Sequence, residues 1–237
     1  MKTNQVKNQI IRFTITRPVF NSIEEIYPTL FCDENNVILI DCGFMGSMGL
    51  LEKELSKNSL TLLDLTGLVI THHDHDHMGT AAEIKRINPN VKIYASKEEA
   101  PFIDATTKPL RLQQAEDMQK FLPLEKQAFG KAFCDMLRRI EPVTVEETLY
   151  DGQRLDWYGG CIVMETPGHT PGHISLFLEK QSIVIVGDAF AIENGEPVIA
   201  NPQFTLDIEN AKKSMEKLLS MNARTYYCYH GGVYENK

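Results

Sequence analysis

Several things are scarce in this chain. Its 237 residues contain one tryptophan and five cysteines, and acidic side chains outnumber basic ones, 32 to 24. The opening segment, "MKTNQVKNQIIRFTITRP", has no apolar h-region and no small-residue cleavage pattern. No segment reaches the roughly 18 consecutive apolar residues of a membrane span. A cytoplasmic protein with no membrane partner is the expectation. The cysteines, Cys32, Cys42, Cys134, Cys161 and Cys228, are odd in number, scattered and mostly set in apolar runs. They read as buried, reduced thiols and not as a disulfide framework. A net charge of -8, with only "LRRI" and "AKKS" as basic pairs, argues against nucleic acid as a partner. There is no internal repeat, low-complexity segment or linker. With 43% hydrophobic residues the chain has the material for one core, so a single domain over residues 1–237 is expected.

Period and punctuation predict strands at about 10–16, 29–32 and 37–41, a Gly-rich turn "DCGFMGSMG", and a helix at 48–57. "TGLVITH" is a buried strand, and "HMGTAAEIKRIN" opens a helix directly behind it. After a strand at 91–95 the pattern turns helical from about 96 to 140, with Leu112, Ala115, Met118 and Leu122 in one stripe. This region is expected to be a helical insertion whose Phe121, Phe129 and Phe133 shape an apolar pocket. Strands follow at 143–145, 160–166, 174–178 and 182–186, then a helix at 207–221 and a last strand, "ARTYYCY". Residues 17–28 and 190–202 read as loops. The order suits two similar halves, each a sheet covered by helices.

All seven histidines fall in three short segments. Four of them stand with two aspartates in "HHDHDH", residues 72–77; His169 and His173 lie in "ETPGHTPGHISL", and His230 in "YYCYHGG". Collection of every histidine at strand-end loops beside Gly and Pro argues for one shared metal centre. In an extended segment alternate residues point the same way, so His72 and Asp74 suit one ion, while Asp76 and His77 suit a neighbouring one. His73 and His75 are out of phase and read as residues that line the site. Asp74 either ligates directly or holds a water while His75 turns in. Pro171 and Gly172 prevent His169 and His173 from sharing a helix face. Cys228, two residues before His230, is placed on the buried face of its strand.

The ordered set "TH-x-D-x-DH-x-G", "TPGHTPGH", "VGDA" and "YHGG" resembles the metallo-β-lactamase superfamily in its hydrolase branch, over nearly the whole chain from "VILIDCG" to His230. The resemblance implies an α/β fold, a four-layer αβ/βα sandwich of two mixed β-sheets with outer helices. It implies one ion on His72, Asp74 and His169, a second on Asp76, His77 and His230, and Asp188 bridging them. It also implies that His173 and Asp41 fix the metal-bearing loops by hydrogen bonds. The usual superfamily motif is T-H-x-H-x-D-H, and the departure here is Asp74. A carboxylate at that point adds a hard, negative ligand, so two divalent ions are expected, zinc first, with iron or manganese favoured by Asp74.

A dinuclear centre can make hydroxide at neutral pH and polarise a scissile carbonyl or phosphoryl oxygen. Asp76 is the expected catalytic residue, orienting the nucleophile and moving its proton. The expected activity is hydrolysis of a small ester, thioester or lactone. The motifs resemble those of glyoxalase II and the acyl-homoserine lactonases, with two departures. The helical substrate domain of glyoxalase II has no counterpart in the seven residues after His230, and the lactonase tyrosine is Ala191. The alternatives are an iron-dependent oxidoreductase on the same fold, with oxygen or persulfide chemistry, and a phosphodiester hydrolase. A small molecule is the expected partner, and a homo-oligomer is compatible with everything above.

Overall fold

The computed structural model describes residues 8–19 and 22–236. Alternation along its strands decides which apolar side chains face which neighbour. One sheet is built from β1 (Gln9–Arg12), β4 (Thr29–Cys32), β5 (Val37–Ile40), β6 (Gly67–Val69), β7 (Lys92–Ser96) and β8 (Glu147–Leu149), in the order β1-β4-β5-β6-β7-β8. Its first pairings are antiparallel, whereas β5 to β8 run parallel. The other sheet contains β9 (Arg154–Leu155), β10 (Cys161–Glu165), β11 (Ile174–Leu178), β12 (Ile183–Gly187), β15 (Thr225–Cys228) and β16 (Val233–Glu235). Its order is β16-β15-β12-β11-β10-β9, and only β12 and β15 pair in parallel. Two hairpins stand apart: β2 (Ile15–Val19) with β3 (Ser22–Ile26), and β13 (Ala191–Glu193) with β14 (Glu196–Val198).

Three apolar clusters give four layers. Phe31, Ile38, Ile40 and Val69 of the first sheet pack on Val163, Ile174, Leu176 and Ile185 of the second. The other face of the first sheet, with Leu30, Leu39, Leu68 and Ile93, meets Leu51 and Leu55 of α1 (Met48–Lys57) and Ala81 and Ile84 of α2 (Ala81–Ile87). On the far side Val184, Val186 and Tyr226 meet Leu218 of α6 (Ile208–Ser220). The expected αβ/βα sandwich is therefore the observed architecture. No helix among the described residues is long and apolar enough to cross a membrane.

Differences from the sequence reading have local causes. Residues 96–140 break into α3 (Ala100–Ile103), α4 (Leu110–Gln119) and α5 (Leu124–Leu137), because Pro109 and Pro123 stand at the N-caps of the last two. The expected strand at 143–145 does not form. Val143 N donates to Ile103 O, and pairing with β7 begins at Glu147. The stretch 17–28 carries the β2–β3 hairpin, in which Arg17 faces Glu24 at 2.8 Å; Phe20 and Asn21 lie outside the described residues. Of the three phenylalanines expected to shape a pocket, Phe121 and Phe129 are more than half exposed, and Phe133 packs against His75 and Phe204. The one buried side chain of α4 is not apolar: it is Arg111.

Candidate metal centre

The histidine-bearing segments meet where strands of both sheets run out. β6 gives way to residues 70–79, β10 and β11 are joined through 166–173, and β12 and β15 end just before Asp188 and His230. Backbone bonds stitch this edge together: Asp41 N donates to Val69 O at 2.9 Å, and Ile174 N to Thr71 O at 3.2 Å. Such loops are free of ladder constraints yet anchored by rigid strands, which is what a precise site needs.

Asp41 organises the first loop. Its Oδ1 accepts from Thr71 N and its Oδ2 from Thr71 Oγ1, both at 2.8 Å, and His77 Nδ1 lies 2.7 Å from the same Oδ2. With Nδ1 engaged, His77 presents Nε2 to the interior. That atom is 3.3 Å from Asp188 Oδ1. His230 Nε2 lies 3.5 Å from the same oxygen and 3.2 Å from Asp76 Oδ2. Burial opposes charge on His77, but Asp41, Asp188 and Asp76 hold its pKa well above the ordinary histidine value. His230 is raised as well, against burial, by Asp188 and Asp76. Asp188 in turn sits well below the carboxylate range, because His230 and His77 outweigh the burial that would raise it.

The other side of the centre holds His72, Asp74 and His169. Asp74 Oδ2 is 3.5 Å from His72 Nε2 and 3.0 Å from His169 Nε2, and Asp188 Oδ2 is 3.5 Å from His169 Nε2. Asp188 thus turns one oxygen towards each side. Within each of three sets, His72/Asp74/His169, His72/His77/Asp188 and Asp76/His77/His230, the donor atoms lie within 4.8 Å of one another. Imidazole nitrogen and carboxylate oxygen suit zinc, iron(II) and manganese. His72 Nε2, His77 Nε2, His230 Nε2 and Asp188 Oδ1 are all buried without a hydrogen-bond partner among the described residues. Buried polar atoms are normally satisfied, and a divalent ion is what would satisfy these.

A residue that the motif reading did not single out enters here. Arg111 Nε lies 3.0 and 3.1 Å from the two Asp74 oxygens, and Nη2 is 2.7 Å from Oδ2. Nothing local marks it, since it is one cation in a helical stretch 37 residues from its partner. The available signal was Asp74 itself, a buried carboxylate in need of a counter-charge.

The remaining polar residues hold the scaffold. His173 Nδ1 is 2.8 Å from Thr166 Oγ1, and its Nε2 accepts from Asp188 N at 2.8 Å, so both ring nitrogens are occupied. Burial holds this imidazole well below the ordinary value, in keeping with a neutral ring that accepts at Nε2. His73 turns away from the donors towards Glu99, which accepts from His73 N at 3.0 Å and also from Gly172 N at 2.9 Å. Glu99, buried and absent from the motif reading, therefore clips two donor-bearing loops together. His75 lies between the rings of Phe44 and Phe133, with Nδ1 3.5 Å from Asp76 Oδ1. Tyr229 packs on the His77 ring and donates from its hydroxyl to Asp76 O. Cys228 is buried, and burial pushes its thiol up, as it pushes Cys42 and Cys161 up to about 12.

Comparison with known proteins identifies the family. The chain is 26% identical over 212 residues to a probable metallo-hydrolase of Bacillus subtilis, YflN, covering 84% of this chain and 76% of the relative. It is 27% identical over 156 residues to the hydroxyacylglutathione hydrolase GloC of Haemophilus influenzae, covering 66% of this chain and 62% of the relative. Among solved structures, a metallo-beta-lactamase family protein of Thermus thermophilus superposes with a TM-score of 0.75 at 22% identity, over 96% of this chain and 75% of that one. That last likeness speaks to the fold alone. The family model of the metallo-beta-lactamase superfamily matches residues 25–230, and the chain belongs to that superfamily.

Proposed function

We propose that this protein is a metal-dependent hydrolase of a small ester, thioester or lactone. It would act as a single domain, with residues 96–140 as a helical insertion. The observation that carries the reading is the convergence of His77 Nε2, His230 Nε2 and Asp188 Oδ1, buried and unpartnered, beside Asp76. These four residues would hold a divalent ion, with zinc favoured by the imidazoles. Such an ion supplies a hydroxide at neutral pH and polarises the bond to be cut. Asp41 and His173 keep the donors oriented, Asp41 through His77 Nδ1 and His173 through Asp188 N. Asp76 turns Oδ2 to His230 and Oδ1 to His75, so it is placed to take a proton from the attacking water and pass it towards His75. Phe133, packed against His75 and Phe204, adds apolar surface beside the centre and supports an acyl or lactone substrate. The name of the Haemophilus influenzae relative supports an acyl substrate.

The test is a hydrolysis panel of p-nitrophenyl esters, S-acyl glutathiones and acyl lactones. Turnover of one class should vanish on chelation, return with zinc or manganese, and be lost in His230→Ala. A fully metallated protein that cleaves none of them, or that holds iron and consumes oxygen, would overturn the proposal.

A further inference from the structure

The two halves of the centre are not equivalent. Around His77 and His230 the donor atoms are open. Among the described residues His77 Nε2, His230 Nε2 and Asp188 Oδ1 have no hydrogen-bond partner, and their ion-pair neighbours, at 3.2–3.5 Å, are one another and Asp76. Around Asp74 they are mostly spent. Both Asp74 oxygens accept from the Arg111 fork, and His169 Nε2 lies 3.0 Å from Asp74 Oδ2 and 3.4 Å from Arg111 Nη2. On that side His72 Nε2, 3.5 Å from Asp74 Oδ2, has no hydrogen-bond partner among the described residues. The arginine is no surface side chain that has drifted in. It is 3% exposed, its Nη1 donates to Phe204 O and Gln114 Oε1, and its guanidinium lies over the Phe204 ring at 5.1 Å.

The geometry points to a mononuclear centre, in which Arg111 clamped on Asp74 stands in for one of the two ions and a single divalent ion binds at Asp76, His77, His230 and Asp188. This rests on the metal-centre reading above and narrows it. Charge supports it. Four buried aspartates surround the donor atoms: Asp41, Asp74, Asp76 and Asp188. Asp41 is committed to Thr71 and His77 Nδ1, and Asp74 to Arg111. Asp76 and Asp188 remain as the two that no arginine or lysine among the described residues engages, and they face the position left for a divalent ion. Imidazoles can release protons to admit an ion, but a guanidinium cannot. A second ion on His169 would therefore have to bind beside a fixed positive charge, through a carboxylate already engaged by it.

The experiment is metal stoichiometry. Full-length protein is loaded with excess zinc, desalted and measured by elemental analysis, with cobalt(II) absorbance as an independent readout. Three chains are compared: the parent, Arg111→Met, and Asp74→His with Arg111→Met. The last removes both buried charges together, so a fold that fails for lack of a counter-ion cannot mask the result; circular dichroism checks that each chain is folded. One zinc per parent chain and two in the double variant are expected. Two zincs in the parent would overturn the inference, and so would one zinc in all three chains, because Arg111 would then not be what limits the count. No zinc in any folded chain would overturn the metal-centre reading itself, an outcome separate from the other two. Hydrolysis plays no part in the readout, so failure of the substrate proposal leaves the result intact.

Discussion

Asp41→Asn isolates the contribution of one carboxylate to the centre. Asp41 sits at φ 56°, a left-handed conformation that asparagine tolerates, so the backbone is not the perturbation. The carboxylate serves three donors: Thr71 N, Thr71 Oγ1 and His77 Nδ1. An amide offers one oxygen and one NH2, so one donor at least must face another donor. Loss of a hydrogen bond to a charged group costs about 1.5–3 kcal/mol. At about 2–4 °C per kcal/mol for a chain of this size, the metal-stripped variant should melt about 3–12 °C lower. With His77 less firmly aimed, zinc affinity should fall about 10- to 100-fold. The pH dependence carries a sign. In the stripped parent, Asp41 with Asp188 and Asp76 holds the His77 pKa well above the ordinary value. The stability this gives is complete below the unfolded histidine value of about 6.5 and is lost as pH rises through the folded one. Zinc must displace that proton, so parent affinity climbs with pH. The variant has a weaker proton to displace, and its affinity deficit should be widest at alkaline pH and narrow as pH falls. Melting with and without chelator, and competition against a chromophoric chelator at three pH values, would measure both. Zinc affinity within twofold of the parent at pH 8, together with an unchanged melting point, would refute the reasoning.

Two further substitutions probe the scaffold. Gly187 has φ 59°, and a Cβ there would lie 2.6 Å from His173 Nε2, the atom that accepts from Asp188 N. Gly187→Ala should combine about 1–2 kcal/mol of backbone strain with about 1–3 kcal/mol for a disturbed buried hydrogen bond, lowering both melting temperature and zinc affinity; a parent-like melt would count against the His173 brace. Glu99→Gln leaves one oxygen for donors from His73 and Gly172. Amide hydrogen exchange should then quicken at both His73 and Gly172, whereas faster exchange at one alone would show that Glu99 does not couple the loops.

Much of this molecule could be read along the chain because its signals are local. α1 spans the residues its apolar spacing predicts, and β5, β10, β11 and β12 match to within a residue the apolar runs read as strands. The β13–β14 hairpin was missed although its sign was there. Asn194 and Gly195 both take positive φ, 53° and 84°, the two-residue turn that Asn-Gly favours, but its flanking strands are only three residues long. Arg111 is a different kind of omission. Periodicity assigned α4 an apolar stripe of Leu112, Ala115 and Met118, and the structure leaves Met118 exposed and buries the arginine. Nothing in a helical period reports that a cation is aimed at a loop on another strand. The same holds for Glu99, whose three donors come from two distant loops. Side chains that act through a partner remote in sequence have no pattern of their own.

Asp74 nevertheless carried the information that something had to be there. A buried carboxylate is untenable without a counter-charge, and that cation can be an ion or a side chain. The magnitudes favour the side chain here. At an effective dielectric near 20, two unit charges about 4 Å apart interact by about 4 kcal/mol, so a divalent ion at that distance from a guanidinium meets about 8 kcal/mol of repulsion. A full four-ligand zinc site returns about 10–16 kcal/mol. On the Asp74 side such an ion would find two imidazoles, one carboxylate shared with Arg111 and one shared with the neighbouring position. That reduced set has little to set against the repulsion, whereas among the described residues no arginine or lysine pairs with Asp76 or Asp188. An arginine delivered by the helical region between β7 and β8 thus makes the aspartate at position 74 intelligible, and makes that region part of the centre's electrostatics and not only a cover above it.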